Sequence, residues 1–330
     1  MDLDTVLEML RAAGEQTRLR ILLLLRHGEL TVSELVQILG QSQPRVSRHL
    51  KLLASSGLVE WVREGSWVFY RLARDEAGSA LVAWISQNGE AASDQARRDE
   101  VRLEQVRAER RAQADAYFQE NAAQWDQIRA LQGSDAAVEA AVLAAAQLGD
   151  EPVKLLDVGT GTGRMLEVFA PSISEGVGVD SSMSMLKVAR GRLTRADLSH
   201  CTVESGDMYG LDIEDGSYDV VILHQVLHFA DSPKAVIAES ARVVKEGGCL
   251  VIADYAPHTH EVLRDKHAHR RLGFSKQDII RWCAAADLSA DHYERVSGPE
   301  LEIDVWAARP HQAAAAQPIQ STEESHVPIH

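Results

Sequence analysis

The sequence predicts an α/β domain built on a mostly parallel sheet, preceded by a small α+β domain and a long linking helix. Three observations predict this architecture. An apolar run over residues 153–158 enters a glycine loop, strands and helices alternate from there to residue 309, and amphipathic helices followed by a hairpin open the chain. With 330 residues, the chain has room for about two domains, each with its own core.

The net charge of −15 is unevenly distributed along the chain. Residues 1–74 carry 10 Lys and Arg against 8 Asp and Glu, whereas the remainder carries 24 against 41. Because an acidic surface repels nucleic acids and lipid headgroups, we expect any DNA contact to be confined to the first segment.

Neither an apolar run of 18 residues nor a signal-peptide pattern occurs, so the sequence predicts a cytoplasmic protein without a membrane partner. Three cysteines, Cys201, Cys249 and Cys283, are scattered and form no CxxC pair. This usage indicates buried thiols in a reducing compartment and argues against disulfides or a zinc site.

The first segment begins with three predicted helices. Residues 3–13 and 15–26 form the first two. The third begins at Thr31, has Glu34 at the spacing of a capping box, and ends at Gly40.

A fourth helix follows Ser42, with Pro44 in its first turn and Val46, Leu50 and Leu53 on one face. Basic and polar residues occupy its other faces. Two short strands joined by a glycine turn come next. Helices, turn, basic helix and hairpin in this order predict a winged helix-turn-helix.

Residues 3–74 closely resemble the ArsR/SmtB family of regulators. The positions that carry the resemblance are Ser42, Val46, Ser47, His49, Leu50, Leu53, Gly57, Leu58, Val59, Gly65, Tyr70 and Leu72. The resemblance implies a homodimer that reads double-stranded operator DNA in successive major grooves about 34 Å apart. It implies these DNA-binding residues: Gln43, Arg45, Ser47, Arg48 and His49 in the groove, with Lys51, Arg63 and Arg71 on phosphates. The alternative is a charged, solvated helix face.

Many members of that family sense metals through two cysteines in the third helix. Thr31 and Ser33 stand at those positions here, and hydroxyls are poor ligands for soft or borderline metals. We therefore expect no metal, and any sensing function must lie elsewhere in the chain.

The segment from about residue 75 to 130 is rich in Ala, Glu, Gln and Arg and lacks proline, so residues 93–131 are predicted to form one long charged helix. A strict heptad is absent, which favours a rigid spacer over a coiled coil. The residues expected to complete the dimer core are Leu81, Val82, Trp84 and Ile85. Later in the segment, Tyr117, Phe118 and Trp125 are candidates for a lid over the ligand site, or for helix packing alone.

The glycine loop after the first strand contains Gly159, Gly161 and Gly163, and Asp157 opens it. Arg164 stands where a dinucleotide fingerprint needs its third glycine, so that fingerprint fails. A Lys-Ser/Thr pair is also missing, which argues against a P-loop.

Residues 136–309 resemble class I S-adenosylmethionine (SAM) methyltransferases, first in the motif DxGxGxG and then in four further matches downstream. The resemblance implies a Rossmann-like, mostly parallel seven-stranded sheet that binds SAM. It implies the following SAM-binding residues: Asp157, Gly159, Gly161 and Gly163 for the methionine portion, Asp180 for the ribose, Met185, Asp207 and Met208 around the adenine, and His224 after the fourth strand. Another α/β fold with a glycine loop is the alternative.

Methyl transfer requires an acceptor in line with the methyl group and, for some acceptors, a base that removes a proton. The candidates for that base, or for positioning the acceptor, are His224, His228 and His258. Four histidines lie within twelve residues: His258, His260, His267 and His269. This cluster is compatible with a general base near the acceptor, with a metal cluster, or with a solvated loop and helix face. The region is similar to small-molecule and ubiquinone-biosynthesis methyltransferases, which leaves the acceptor open.

Together these features predict four regions: a DNA-binding and dimerisation domain (1–90), a helical linker or lid (91–133), the methyltransferase-like domain (134–309) and a disordered tail (310–330). One functional hypothesis is a transcriptional regulator that senses SAM or S-adenosylhomocysteine (SAH). The other is a working methyltransferase whose winged domain regulates its own operon. A winged domain that only dimerises the enzyme is disfavoured by Arg45, Arg48 and Lys51 on one surface.

Overall fold

The computed structural model describes residues 2–73, 76–89, 94–132, 135–298 and 300–311. The tail expected from residue 310 onwards therefore lies almost entirely outside the described residues. Among the helices described, none is long and apolar enough to cross a membrane.

The N-terminal domain is a winged helix-turn-helix, as the sequence predicted. Its elements are α1 (Leu3–Ala13), α2 (Gln16–Leu25), β1 (Leu30–Thr31), α3 (Val32–Leu39), α4 (Gln43–Ser55), β2 (Val59–Glu64), β3 (Trp67–Leu72) and α5 (Glu76–Gly89). The capping box of Thr31 and Glu34 is present, and Gly40 ends α3 in the left-handed conformation. The two-residue strand β1, which pairs with β3, is an addition to the prediction.

The linking segment contains α6 (Asp94–Asn121), a 3₁₀ turn (Ala122–Gln124) and α7 (Trp125–Gln132). One continuous helix was expected, and the structure divides it at Asn121. The side-chain amide of Asn121 donates a hydrogen bond to the Tyr117 backbone carbonyl at 2.8 Å, and the 3₁₀ turn follows at once. The break turns Trp125 towards the glycine loop, with its indole nitrogen 3.7 Å from the position of a Cβ on Gly161.

The C-terminal domain is a Rossmann-like methyltransferase fold with a seven-stranded sheet. Its strands run β6-β5-β4-β7-β8-β10-β9, and β10 alone among them is antiparallel to the rest. The elements are α8 (Asp135–Ala146), β4 (Val153–Val158), α9 (Arg164–Phe169), β5 (Ile173–Asp180), α10 (Met183–Arg195), β6 (Cys201–Ser205), β7 (Tyr218–His224), α11 (Pro233–Arg242), β8 (Val244–Tyr255), α12 (Val262–His267), α13 (Lys276–Ala284), β9 (Leu288–Ser297) and β10 (Glu302–Pro310). Apolar clusters cover both faces of this sheet, as a parallel sheet requires.

The two domains are joined by contacts as well as by the chain. Helix α6 lies against the winged domain, where Arg20 pairs with Asp99 at 2.5 Å and Arg107 donates to the His27 carbonyl at 2.7 Å. The tip of the wing reaches the C-terminal domain, where the Ser66 amide donates to the Glu261 carboxylate at 2.6 Å. The winged domain is thus held from two sides.

Candidate functional site

A cavity of about 770 Å³ lies at the carboxyl ends of β4, β5, β6 and β7. Open α/β sheets bind their ligands at this edge. Residues from the strand ends, the glycine loop and α10 form one part of its wall: Asp157, Gly159, Thr160, Gly161, Asp180, Met185, Asp207, Met208 and His224. Residues from α6, from the wing, from α12 and from the segment after it form another part, including Arg110, Tyr117, Phe118, Trp67, Arg264, His269 and Arg270.

Nearly all of the SAM-binding residues proposed from the sequence therefore line one cavity. The exception is Gly163, which does not appear in its wall and instead caps α9 with a φ of 77°. Gly159 has a φ of +73°, and a Cβ there would come within 2.3 Å of the Val226 side chain. Only glycine allows this turn and this close approach.

The Asp180 carboxylate is fixed at the end of β5. One oxygen accepts a hydrogen bond from the Gly161 amide at 2.8 Å, and the other accepts one from the Ser182 amide at 2.8 Å. Burial raises the pKa of this carboxyl above its ordinary value, while the two amides favour the charged form. The acidic group thus links the strand end to the glycine loop.

The first strand is tied to the loop by a second acidic residue. Asp157 is 1% exposed and accepts a hydrogen bond from the Thr160 hydroxyl at 2.6 Å. On the opposite side, Asp126 of α7 accepts a hydrogen bond from the Thr162 hydroxyl at 2.8 Å and also pairs with Arg192. These contacts seat α7 on the glycine loop.

A continuous row of rings, which we call the aromatic wall, extends along the cavity from the glycine loop. It consists of Trp125, Phe118, Phe229 and His269. Phe118 lies 5.4 Å from Trp125 and 4.9 Å from Phe229 between ring centroids, and Phe229 lies 5.2 Å from His269. Phe118 and Trp125 therefore pack together and line the cavity, and their role as a lid stays a prediction.

The three histidines named as candidate bases lie in different places. His224 lines the cavity, whereas His228 and His258 do not appear in its wall. His228 is 2% exposed, and its Nδ1 lies 2.8 Å from Asp254 in the interior. Burial lowers the pKa of His258 to about 4, with His260 adding to the shift.

His269 lines the cavity, and no local pattern singled it out among the neighbouring histidines. It is 4% exposed, and its ring stacks obliquely on His228 with centroids 4.1 Å apart. Burial lowers the pKa of His269 well below its ordinary value, so the imidazole is neutral near pH 7. Ala268, directly before His269, has a φ of 56°, a backbone conformation that the run of four histidines does not predict.

Three arginines of the C-terminal domain hold carboxylates of the winged domain. Arg271 pairs with Glu64 at 2.7 Å and also with Glu29. The two remaining pairs are Arg264–Glu64 at 3.0 Å and Arg270–Glu34 at 3.0 Å. We call this group the arginine clamp, and it was not expected from the sequence.

The proposed DNA-contacting side chains are distributed over α4 and the wing. Gln43, Arg45, Ser47, Arg48 and Lys51 are exposed on α4. The others are more constrained: His49 is half-buried 3.5 Å from Glu15, Arg63 donates to the Gly65 carbonyl, and Arg71 pairs with Glu29 and Glu60 at 3.2 Å. The surface open to a partner therefore comprises α4 and Arg63 of the wing, which is itself exposed.

In the part of the chain that the structure describes, no group of three or more His, Cys, Asp or Glu side chains could hold a metal ion. The three cysteines are free and buried. The fold and the site together define a protein that combines a DNA-binding type of domain with a ligand-binding α/β domain.

Comparison with known proteins identifies both parts. Residues 15–60 match the family of bacterial regulatory proteins of the arsR family, and residues 156–252 match a methyltransferase domain family. The chain therefore joins an ArsR-family DNA-binding domain to a methyltransferase domain.

Individual relatives resemble one part each. The arsenical resistance operon repressor of Escherichia coli is 48% identical over 67 residues, 20% of this chain and 57% of that protein. The demethylmenaquinone methyltransferase of Renibacterium salmoninarum is 37% identical over 106 residues, 32% of this chain and 43% of that protein. The chain thus spans less than two thirds of these relatives' length. The crystal structure of YcgJ from Bacillus subtilis aligns with a TM-score of 0.45 and 17% identity over 53% of this chain and 98% of that protein.

Proposed function

We propose that this protein is a dimeric ArsR-type transcriptional regulator, and its resemblance to that family indicates a repressor. Its methyltransferase domain binds SAM or SAH, and this binding changes the affinity of the protein for operator DNA. The observation that carries the proposal is the composition of the cavity wall. Residues of the nucleotide-type site, of the linking helix α6 and of the wing all line the same cavity. A ligand that fills this cavity would touch both domains.

The residues at the strand ends fit a ligand of this kind. Asp180 offers carboxylate oxygens where a ribose diol would donate, and Gly159 leaves room for a close backbone approach. Asp157 and the loop amides would hold the methionine portion, with Met185 and Met208 beside the adenine. When bound, SAM supplies an activated methyl group on its sulfonium.

The arginine clamp supports coupling between ligand and DNA. Arg264 and Arg270 line the cavity and also bind Glu64 and Glu34 of the winged domain. A ligand that favours one arrangement of these side chains biases the position of the wing and of α3. Coupling between two such sites is typically worth about 1–3 kcal/mol, a 5- to 150-fold change in affinity.

Exposed apolar residues support the homodimer. The outer face of α1 carries Leu3, Leu7 and Leu10, which are 82%, 41% and 50% exposed, and Trp84 of α5 is 63% exposed. Burial of this surface against a second copy would stabilise the homodimer that the resemblance implies.

A second candidate function, methylation of a small molecule, is favoured by one observation. The cavity continues past the strand-end residues along the aromatic wall, which leaves room for an acceptor. In this case the winged domain would regulate the operon of the enzyme. The two functions use the same SAM site and are compatible.

The test is calorimetric titration of the full chain with SAM and with SAH, in the presence and absence of a duplex that carries the promoter of its own gene. A ligand affinity that changes when DNA is bound supports the sensor, because linkage then requires the reciprocal effect on DNA. Ligand binding that is independent of DNA favours the enzyme. Absence of binding by both ligands contradicts the SAM site itself.

A further inference from the structure

The turn at the tip of the wing has the composition of an anion-binding site. The strands β2 and β3 end at the facing pair Glu64 and Trp67, so Gly65 and Ser66 alone form this turn, which we call the wing turn. Gly65 has a φ of +58°, a conformation that favours glycine. The exposed Arg63 side chain donates to the Gly65 carbonyl at 3.1 Å, and Ser66 is exposed as well. Backbone amides, hydroxyls and arginines are the groups that contact DNA phosphates.

A carboxylate of the C-terminal domain already lies on the wing turn. Glu261, which directly precedes α12, accepts a hydrogen bond from the Ser66 amide at 2.6 Å. A Cβ on Gly65 would overlap with the same carboxylate oxygen, so Glu261 lies directly against the backbone of the turn. Burial by itself raises the pKa of Glu261, but the Ser66 amide and Arg264 outweigh it, so the pKa is lowered and the group is charged near pH 7. An anion therefore occupies the amide that a phosphate would use.

The ionised side chains next to these contacts in the sequence are paired or opposed in charge. Glu64, beside the wing turn, is neutralised by Arg264 at 3.0 Å and by Arg271 at 2.7 Å. On α12, the exposed Asp265 and Lys266 carry opposite charges. The carboxylate that lies on the turn therefore decides how the turn meets a phosphate.

Arg264 connects this carboxylate with the ligand cavity. Its guanidinium lies 3.3 Å from the second oxygen of Glu261 and 4.8 Å from the ring centroid of Trp67. Both Arg264 and Trp67 line the cavity. A ligand that draws the Arg264 guanidinium away from Glu261 would weaken the hold of the C-terminal domain on this carboxylate.

We propose that the wing turn and Arg63 form a phosphate-contact site for DNA, and that Glu261 occupies this site as an internal competitor. DNA must then displace the Glu261 carboxylate from the Ser66 amide, so the C-terminal domain weakens DNA binding. The displacement requires rotation of one side chain, which is 34% exposed, and no movement of the domains. This inference rests on the proposed function and deepens it, because it assigns the C-terminal domain an inhibitory contact with the wing.

The test measures binding of the full chain to a duplex that carries the promoter of its own gene, by fluorescence anisotropy over a range of salt concentrations. Glu261→Ala is expected to bind about three- to tenfold more tightly than the wild type, the equivalent of one hydrogen bond of ordinary strength. Its log affinity should also fall more steeply with log salt, by about 0.9 for each wing turn that engages a phosphate. Because phosphate contacts carry no sequence information, an unrelated duplex should show the same gain.

A matched control separates the contact from a general change in charge. Glu246→Ala removes the same charge from an exposed position near the start of β8, whereas Glu261 follows the end of that strand. It should change the affinity by less than about 1.5-fold, because salt screens exposed charges separated by more than about 10 Å. Equal gains in Glu246→Ala and Glu261→Ala, or an unaltered affinity in Glu261→Ala, would overturn the proposal.

A double variant tests whether the gain arises at the wing turn. Arg63→Ala removes the guanidinium beside the turn, and Glu261→Ala in that background should lose most of the gain that it shows alone. A gain that is independent of Arg63 would place the effect elsewhere and contradict the site. Glu261→Gln, which keeps the size of the side chain and removes its charge, is a second variant and should show a smaller gain in the same direction.

Failure of the wing site is distinguishable from failure of the proposed function. If the wild type and Glu261→Ala bind the duplex equally, the wing site is wrong and operator binding stands. Binding by Glu261→Ala alone supports both. If neither protein binds the duplex, operator binding and the wing site are both contradicted, and titration with SAH still tests the ligand site. Circular dichroism melting curves confirm that each variant is folded.

Discussion

Glu34 and Arg270 connect the helix-turn-helix directly to the ligand cavity. One oxygen of Glu34 accepts the Thr31 amide at 2.7 Å and so caps α3, while the other lies 3.0 Å from Arg270. Arg110, which also lines the cavity, lies 3.3 Å from the same oxygen. A single carboxylate therefore belongs both to the cap of the first helix of the DNA-binding motif and to the ion pairs of the cavity wall.

Substitution of Asp180 tests the ligand site. Asp180→Asn replaces one carboxylate oxygen that accepts a backbone amide by an amide group that cannot, and it removes the charge offered to a ligand diol. We expect SAM and SAH affinity to fall at least tenfold, measured by calorimetry. Asp212→Asn, at an exposed position, is the matched control and should leave the affinity unchanged. An unaltered affinity in Asp180→Asn would refute the role of Asp180.

The double variant Arg45→Ala, Arg48→Ala tests the DNA-binding surface. Both side chains are exposed on α4, and loss of each contact is expected to cost about 1–3 kcal/mol. Operator binding, measured by fluorescence anisotropy at fixed salt, should therefore disappear while SAH binding remains. Arg97→Ala, Arg98→Ala on α6 removes the same charge from another exposed surface and serves as the control. Loss of SAH binding together with DNA binding would contradict two separate modules.

The arginine clamp makes a prediction about stability. The Arg271 side chain is 4% exposed and pairs with Glu29 and Glu64. Arg271→Met leaves two carboxylates without this partner, and we expect the free energy of unfolding in urea to fall by about 3–5 kcal/mol. Arg281→Met breaks a pair on the surface of α13, where the arginine is 35% exposed, and should cost at most about 1 kcal/mol. Similar losses in the two variants would argue against the clamp.

The carboxylates of the clamp predict how stability depends on pH. Burial by itself raises the pKa of Glu29, but Arg271 and Arg71 outweigh it, so the pKa lies below its ordinary value of 4.5. The pKa of Glu34 is also below its ordinary value, because Arg270 and Arg110 outweigh the effect of burial. A lowered pKa in the folded state contributes stability that is complete above pH 4.5 and is lost as the pH falls through the folded pKa.

We therefore expect unfolding free energies measured in urea between pH 6.5 and 3.5 to decline steeply below about 4.5 in the wild type. The double variant Glu29→Gln, Glu34→Gln should be less stable at pH 6.5 and should decline less steeply. Identical slopes in the two proteins would mean that these carboxyls do not have lowered pKa values in the folded state.

Much of the architecture follows from local sequence patterns. The capping box at Thr31, the apolar face of α4 and the glycine turns each fix a backbone conformation within a few residues, so periodicity and spacing reveal them. The mostly parallel sheet of the α/β domain follows similarly from the run of alternating elements and the glycine loop. Most of the strand-end residues that line the cavity were predictable because they directly follow predicted strands.

The contacts between the domains were not predictable in this way. Arg271 and Glu29 are 242 positions apart, and Arg271 stands in a polar stretch that reads as a solvated basic loop. Trp67 reads as an ordinary strand residue, and nothing local indicates that it lines a cavity in another domain. His228 illustrates the converse, since its place after a strand suggested a ligand site while the backbone turns it towards Asp254 in the interior.

The length of α6 has a practical consequence for building new sensors. A helix of 28 residues extends about 42 Å, and it carries the winged domain near its start and the cavity wall near its end. The residues after the cavity that make the closest polar contacts with the winged domain lie between 261 and 272, and Asp278 adds a longer pair with Arg71 at 3.9 Å. A chimera that receives a different methyltransferase sheet would therefore keep the contacts between the cavity wall and the winged domain only if both the helix and this short segment were transplanted together.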